Sequence, residues 1–424
     1  IIVIQTIPGG PSEKVGLMPG DRIVMLDDSL VAGTGITNRL AMKKLKGKRG
    51  TKVKVGIFRR KLKGLIDFEI TRDVIPTFSL DIAYMVTDSI GYIKLNQFTA
   101  TTTDEFKEAV KKLQDQGMGK LILDLRDNTG GYLQSAIDIS DEFLKKGEMI
   151  VYTEGKNQPK ETFDATSKGS LEITELIILI NEGTASASEI VAGAIQDNDR
   201  GVIIGRRSFG KGLVQRQLDF PDGSALRLTV ARYYTPTGRC IQKPYDQKNG
   251  FEDYYSESYH RYLNGEMEDQ DSIHFNDSLK YVTPGGKIVY GGGGIMPDVY
   301  MPLERDEQLK YYNTLLQNGL IFKFAFDYAD RNRNRLQNDY PDFESFNKEF
   351  IITESLMKEF DEYTEQNGVK YDPKGFEYAK DKVDTLLKAY ISRNLFDDAG
   401  FYPIFHQIDK PFLKAVELLS DKIS

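Results

Sequence analysis

The sequence contains few of the residues that most often carry disulfide or metal chemistry. It has one cysteine, Cys240, so an intramolecular disulfide is excluded. Its three histidines form no H-x-x-x-H pair, which argues against a zinc site. No apolar run is long enough to span a membrane, and the net charge of −7 offers no basic surface for nucleic acid. We therefore expect no metal, no cofactor, no nucleic-acid partner and no stable membrane span.

The bulk composition is that of a globular protein with several domains. The chain has 424 residues, which is too many for one hydrophobic core. Its hydrophobic content of 40% and charged content of 28% are ordinary for soluble domains. Shifts in the hydrophobic pattern predict three domains: residues 1–75, residues 76–305 and residues 306–424.

Residues 1–75 show short apolar runs separated by turn residues, which predicts a small β-rich domain. The run from Pro8 to Leu26 resembles the middle of a PDZ domain, which reads P-G-S-P-A-x-x-A-G-L-x-x-G-D-x-I. PDZ domains bind extended C-terminal peptides by adding a strand to a sheet edge. The resemblance begins in mid-domain and the chain opens on Ile1 rather than Met, so we expect this PDZ domain to be N-terminally incomplete.

Residues 76–305 alternate between apolar strand patterns and amphipathic helix patterns. This alternation predicts a layered α/β core. The clearest predicted elements are strands at Lys120–Leu125 and Leu176–Ile180 and a helix at Ser186–Asp197. The polar stretch Tyr254–Lys280 is predicted to be irregular. Helical spacing dominates after about residue 305, which predicts a helical C-terminal domain.

The most informative chemistry lies in two segments, Asn181–Ile190 and Phe209–Gln215. Ser186 stands among small residues that leave room for a substrate, and Lys211 follows 25 residues later between glycines. A lysine amine can activate a serine hydroxyl if burial keeps the amine neutral. We therefore predict a Ser-Lys hydrolase with Ser186 as nucleophile and Lys211 as general base.

Two other patterns include Lys211 and are less favoured. Gly205–Lys211 matches G-x-x-x-x-G-K, but Gly212 stands where a phosphate-binding loop needs Ser or Thr. Ser208 and Lys211 form an S-x-x-K pair, but the S-D-N and K-T-G elements of penicillin-recognising enzymes are missing from the sequence.

The two segments together resemble the carboxy-terminal processing (tail-specific) peptidases, whose pattern reads N-x-G-[ST]-A-S-A-S-E-I-V-A-G-A-x-Q-D and then G-x-x-S-F-G-K-G-x-V-Q. The resemblance covers roughly residues 1–305 and implies a PDZ domain before a ClpP/crotonase-like protease core. It implies that Gln215 orients Lys211, and that Thr184 is a conservative departure from the common Ser. The oxyanion hole is expected from the N–H of Ala187 and a second donor at Gly130 or Gly131, between which the sequence cannot choose.

The resemblance implies a serine endopeptidase that cleaves near the C-termini of protein substrates through an acyl-enzyme. Protein or peptide substrates are expected to bind in extended form. The family also implies export to the periplasm or cell envelope of a Gram-negative bacterium. Two alternatives stay open at this point: a PDZ peptide-binding scaffold with a resting or inactive protease core, and an assembly protein that forms a homo-oligomer through residues 306–424.

Overall fold

The computed structural model describes residues 1–244 and 250–421. The chain divides into two compact units. The first contains residues 1–77 and 306–408, and the second contains residues 78–305 and the segment from Asp409 onward. Among the helices in the described ranges, none is long and apolar enough to cross a membrane. The predicted domain boundaries after residues 75 and 305 stay predictions.

The N-terminal part of the first unit is built around a four-stranded antiparallel sheet. Its elements are α1 (Pro11–Lys14), β1 (Arg22–Leu26), β2 (Ser29–Leu30), α2 (Asn38–Leu45), β3 (Lys52–Phe58) and β4 (Ile66–Thr71). The strand order is β2-β1-β3-β4. Val53, Val55 and Ile57 are buried while Lys52 and Lys54 are exposed, because successive side chains of a strand point to opposite faces.

The second unit contains two sheets with helices packed against them. Its elements up to residue 305 are, in chain order, β5 (Leu80–Met85), β6 (Ile90–Leu95), α3 (Thr102–Asp115), β7 (Lys120–Asp124), α4 (Leu133–Asp141), β8 (Met149–Gly155), β9 (Gln158–Asp164), β10 (Glu175–Ile180), α5 (Ala187–Asp197), β11 (Val202–Gly205), β12 (Leu213–Asp219), β13 (Ala225–Tyr234), α6 (Gly250–Leu263), β14 (Lys280–Val282), β15 (Ile288–Tyr290) and β16 (Val299–Tyr300).

The larger sheet has the strand order β16-β11-β10-β7-β6-β5. All neighbouring strands are parallel except β5 and β6. The central strand β10 is buried along almost its whole length, as expected for a parallel strand covered by helices on both faces. The second sheet is antiparallel with the order β12-β13-β8-β9, so β12 is an edge strand. The predicted mixed α/β core is confirmed.

One local prediction is wrong. The polar pattern of Tyr254–Lys280 predicts an irregular segment, but the first part of this segment belongs to the helix α6. Tyr254 and Arg261 of this helix are buried and lie seven residues apart, which is two helical turns. The buried face therefore includes a charged residue, and the apolar periodicity that would predict this helix is weak.

The C-terminal region is helical, as predicted. It contains α7 (Lys310–Gln317), α8 (Leu320–Asp339), α9 (Phe343–Glu349), α10 (Glu354–Gln366) and α11 (Pro373–Phe405), and α12 (Lys410–Ser420) lies in the second unit. Within the first unit, Asp330 of α8 forms ion pairs with Arg22 at 3.1 Å and with Arg60 at 2.8 Å. These contacts join the β-rich segment and the helical segment.

Candidate active site

Ser186 lies in the turn between β10 and α5, at the carboxyl end of a central strand. Ligands of α/β sheets generally bind at this end of the strands. The backbone of Ser186 has φ 59° and ψ −116°, a combination that residues with a side chain rarely adopt. Backbone strain of this kind costs about 1–3 kcal/mol and persists only where neighbouring groups hold it.

Glu189 holds the Ser186 turn and the Lys211 loop together. Its carboxylate is fully buried and accepts the backbone N–H of Ser186 at 2.8 Å and that of Lys211 at 2.9 Å. It also accepts the Gly210 N–H at 2.7 Å and the Ser208 hydroxyl at 2.5 Å. Burial raises the pKa of the Glu189 carboxyl, and these four hydrogen bonds oppose the rise. One side chain therefore fixes both segments.

Ser208, the serine of the S-x-x-K pair, belongs to the hydrogen-bonded group around Glu189 and does not line the cleft. It is fully buried, its hydroxyl donates to Glu189, and its oxygen accepts the N–H of Ile295 at 2.7 Å. A serine enclosed in this way has no access to a substrate.

Tyr233 joins the same site from β13. Its hydroxyl donates to the backbone carbonyl of Lys211, and both Tyr233 and Ser186 line the same cavity. The ring is 2% exposed, and burial raises the pKa of Tyr233 well above its usual value, so the hydroxyl keeps its proton. The backbone N–H of Tyr233 donates to the Gly212 carbonyl at 3.1 Å, which places the ring beside the Lys211 loop.

All six sequence-predicted site residues line one cavity of about 680 Å³: Ser186, Lys211, Gln215, Ala187, Gly130 and Gly131. Lys211 is half-buried, and Gln215 is exposed on the edge strand β12. Within the described residues no group of three or more His, Cys, Asp or Glu side chains could hold a metal ion. The structure thus brings together three segments that follow β7, β10 and β11 of the larger sheet and one edge strand of the smaller sheet.

The backbone around Gly130 and Gly131 distinguishes the two glycines. The Gly130 N–H donates to the Asn128 side chain at 2.9 Å. Phe98 bonds to the residues that flank Gly131, since its N–H donates to the Gly130 carbonyl and its carbonyl accepts the Tyr132 N–H. The N–H of Gly131 is therefore not used by this pairing, and it has no hydrogen-bond partner among the residues described.

Comparisons with known proteins show what this chain is similar to. Residues 89–249 match the model of Peptidase family S41, and residues 311–397 match the model of a family of unknown function, DUF8443. The carboxy-terminal processing protease CtpA of Bacillus subtilis is 37% identical over 243 residues, covering 57% of this chain and 51% of that protein. A carboxy-terminal-processing protease of Bartonella bacilliformis is 40% identical over 247 residues, covering 57% of this chain and 56% of that protein.

The solved structure of the photosystem II D1 C-terminal processing protease is 27% identical, with a TM-score of 0.38, and covers 71% of this chain and 68% of that chain. The chain spans about half the length of the curated relatives it matches. The predicted resemblance to carboxy-terminal processing peptidases is confirmed.

Proposed function

From the Peptidase family S41 domain at residues 89–249, we propose that this chain is a serine endopeptidase that cleaves near the C-termini of protein substrates. The observation that supports the proposal most is that Ser186, Lys211, Ala187 and Gly131 border one cavity. A nucleophile, a base and two oxyanion donors are the parts that acyl transfer needs.

The proposed reaction has two stages. Ser186 Oγ attacks the substrate carbonyl carbon while the Lys211 amine takes the hydroxyl proton. The C–N bond then breaks, the proton passes to the leaving amine, and an acyl-enzyme ester remains. In the second stage Lys211 takes a proton from water, the hydroxide attacks the ester, and Ser186 recovers its proton as the acid product leaves. Gln215 is proposed to orient the amine of Lys211.

The oxyanion is assigned to the N–H groups of Ala187 and Gly131. Ala187 is the first residue of α5, and the first N–H groups of a helix have no partner within the helix. They also lie at the positive end of the helix dipole. The N–H of Gly130 already donates to Asn128. Gly130 is therefore proposed to contribute through its lack of a side chain, which leaves room for the Ser186 turn.

Four finer statements extend the proposal. Residues 76–305 are proposed as the Ser-Lys protease core, of the ClpP/crotonase-like type, and residues 306–424 as a helical domain. Residues 1–75 are proposed as a PDZ domain that presents extended peptides. The proposed location is the periplasm or cell envelope of a Gram-negative bacterium. A homo-oligomer is proposed as well, and light scattering on the intact chain tests it. No observation favours the scaffold or assembly alternatives.

The central test compares cleavage of an unfolded protein such as casein by the wild type, Ser186→Ala and Lys211→Ala. Both variants are expected to lose cleavage, and a reactive-serine probe is expected to label the wild type but not Ser186→Ala. Lys156→Ala, which changes an exposed lysine in the β8–β9 turn, is the control and should retain full activity. Cleavage by Ser186→Ala at the wild-type rate would overturn the assignment.

A further inference from the structure

The charged side chains that border the cavity are all basic. Two charged residues line it, Lys211 and Arg227, and no Asp or Glu does. Lys211 is occupied by its proposed role as a base. Arg227 has no assigned role, and the recognition of an anion is the interaction that a guanidinium in a cleft most often provides.

Arg227 is positioned at one end of the cleft by the pairing of β12 with β13. It stands directly opposite Gln217 in this pair, and its Nη2 donates to Gln217 Oε1 at 3.2 Å. Both side chains line the cavity. The orienting group is a neutral amide, which donates in turn to the Asp219 carboxylate at 2.8 Å. The Arg227 side chain is exposed, so its guanidinium stays accessible to a ligand.

Two other arginines near the site lack this freedom. Arg206 pairs with Glu182 at 2.8 Å, and Arg207 pairs with Glu266 at 2.5 Å. In contrast, Arg227 forms no ion pair with any residue in the described ranges. An anionic substrate group would therefore meet a guanidinium without a direct carboxylate partner at Arg227 but not at Arg206 or Arg207.

The distance along β12 sets the part of a substrate that Arg227 can reach. β12 is the edge strand of its sheet, and an extended peptide can pair with such an edge. A strand rises about 3.4 Å per residue, so Gln217 lies about 7 Å along β12 from Gln215 and about 13 Å from Leu213. These distances correspond to about two to four residues of an extended substrate.

We propose that Arg227 binds a carboxylate of the substrate within about four residues of the scissile bond, and so selects substrates by negative charge. The inference rests on the proposed peptidase function. The carboxylate can be the free C-terminus or an Asp or Glu side chain, since a guanidinium binds both with the same geometry. A free C-terminus at this distance implies release of a short C-terminal peptide.

The experiment uses the intact chain and matched fluorogenic peptides. One pair differs in a free or an amidated C-terminus placed two to four residues beyond the cleaved bond. The other pair is amidated and carries Asp or Asn at those positions. A hydrogen bond to a charged group contributes about 1.5–3 kcal/mol, so kcat/KM is expected to be about 10–100-fold higher for the carboxylate peptide of the relevant pair. The pair that shows the preference identifies the source of the carboxylate.

Arg227→Gln is expected to bring the ratio of the two kcat/KM values close to one, and Arg227→Lys to restore part of it. Arg227→Glu is expected to prefer an amidated peptide with Lys at the same position, an outcome that misfolding cannot produce. Arg216→Gln is the control, because Arg216 lies on β12 between Gln215 and Gln217 but does not line the cavity. It should keep the wild-type ratio.

Equal kcat/KM for both members of each pair in the wild type, or a preference that survives Arg227→Gln, would overturn the inference. If the wild type cleaves none of the peptides, binding to Ser186→Ala by fluorescence anisotropy replaces kinetics. If Ser186→Ala binds the carboxylate peptide more tightly than its neutral counterpart, and the double variant Ser186→Ala with Arg227→Gln does not, the role of Arg227 is supported without any cleavage. Cleavage without charge preference retains the proposed function and rejects this inference alone.

Discussion

Gly130→Ala is a severe test of the active-site geometry, because the added methyl group would point at the nucleophile. A Cβ at residue 130 would lie 2.7 Å from the Ser186 Cβ, 2.8 Å from the Ala187 nitrogen and 2.6 Å from the Ala185 carbonyl oxygen. Two of these three atoms belong to the backbone, so no side-chain rotation can relieve the contacts. The turn that carries Ser186 must move away.

The magnitude follows from the displacement. Carbon atoms in contact are about 3.5–4 Å apart, so the Ser186 turn or the Gly130 loop must shift by about 1 Å. A misplacement of 1 Å in a catalytic group costs on the order of 100-fold in rate. Gly130 also has φ 93°, and a left-handed residue with a side chain adds about 1–2 kcal/mol of destabilisation.

Gly147→Ala separates the two effects. Gly147 has φ 88° in the loop before β8, and a Cβ there would meet nothing within 4 Å. Both variants are expected to lose a similar free energy of unfolding from the backbone term, measured in urea. Only Gly130→Ala should lose about 100-fold in kcat/KM on a peptide substrate. If Gly130→Ala cleaves as fast as Gly147→Ala, the contact geometry described for the site is wrong.

Three further predictions concern the groups around the site. Tyr233→Phe removes the hydrogen bond to the Lys211 carbonyl and should lower kcat about 10-fold with little change in KM, whereas Tyr234→Phe should match the wild type in the same assay. Glu189→Gln turns an amide NH₂ towards N–H donors and should lower kcat/KM at least about 100-fold, and near-normal kinetics would contradict its positioning role. Arg239 and Asp197 form a buried ion pair at 2.6 Å. Arg239→Met leaves the Asp197 carboxylate buried without this partner, so the free energy of unfolding measured in urea should fall by about 3–5 kcal/mol.

The sequence could name the six candidate residues because the resemblance that implies them rests on short motifs. Ser186 and Ala187 lie in one motif, and Lys211 and Gln215 lie in another. The apolar strands and amphipathic helices of the larger sheet also carry short-range periodicity. The helix α6 does not show this periodicity, since its buried face includes the charged Arg261 while Tyr259, Tyr262 and Leu263 are exposed.

The supporting groups could not be predicted because they depend on pairing between distant segments. Tyr233 reaches Lys211 only through the register of β12 with β13, and Arg227 reaches the cleft through the same register. In the sequence alone, Glu189 is only a polar residue at a helix N-terminus. Its role appears when the Lys211 loop folds back onto α5, which no local pattern specifies.

The contacts of Glu189 also determine which substitutions at the nucleophile are informative. The Glu189 carboxylate binds the backbone N–H of Ser186, and this bond does not involve the hydroxyl. Removing the hydroxyl therefore keeps the bond that holds the turn at its φ of 59°. Alanine at residue 186 keeps the strain of this backbone, whereas glycine adopts positive φ freely. Ser186→Gly should therefore be about 1–2 kcal/mol more stable than Ser186→Ala in urea unfolding, and both should be inactive. If Ser186→Gly is no more stable than Ser186→Ala, the backbone of this turn is not strained, and presenting Ser186 to the substrate costs the fold no stability at this residue.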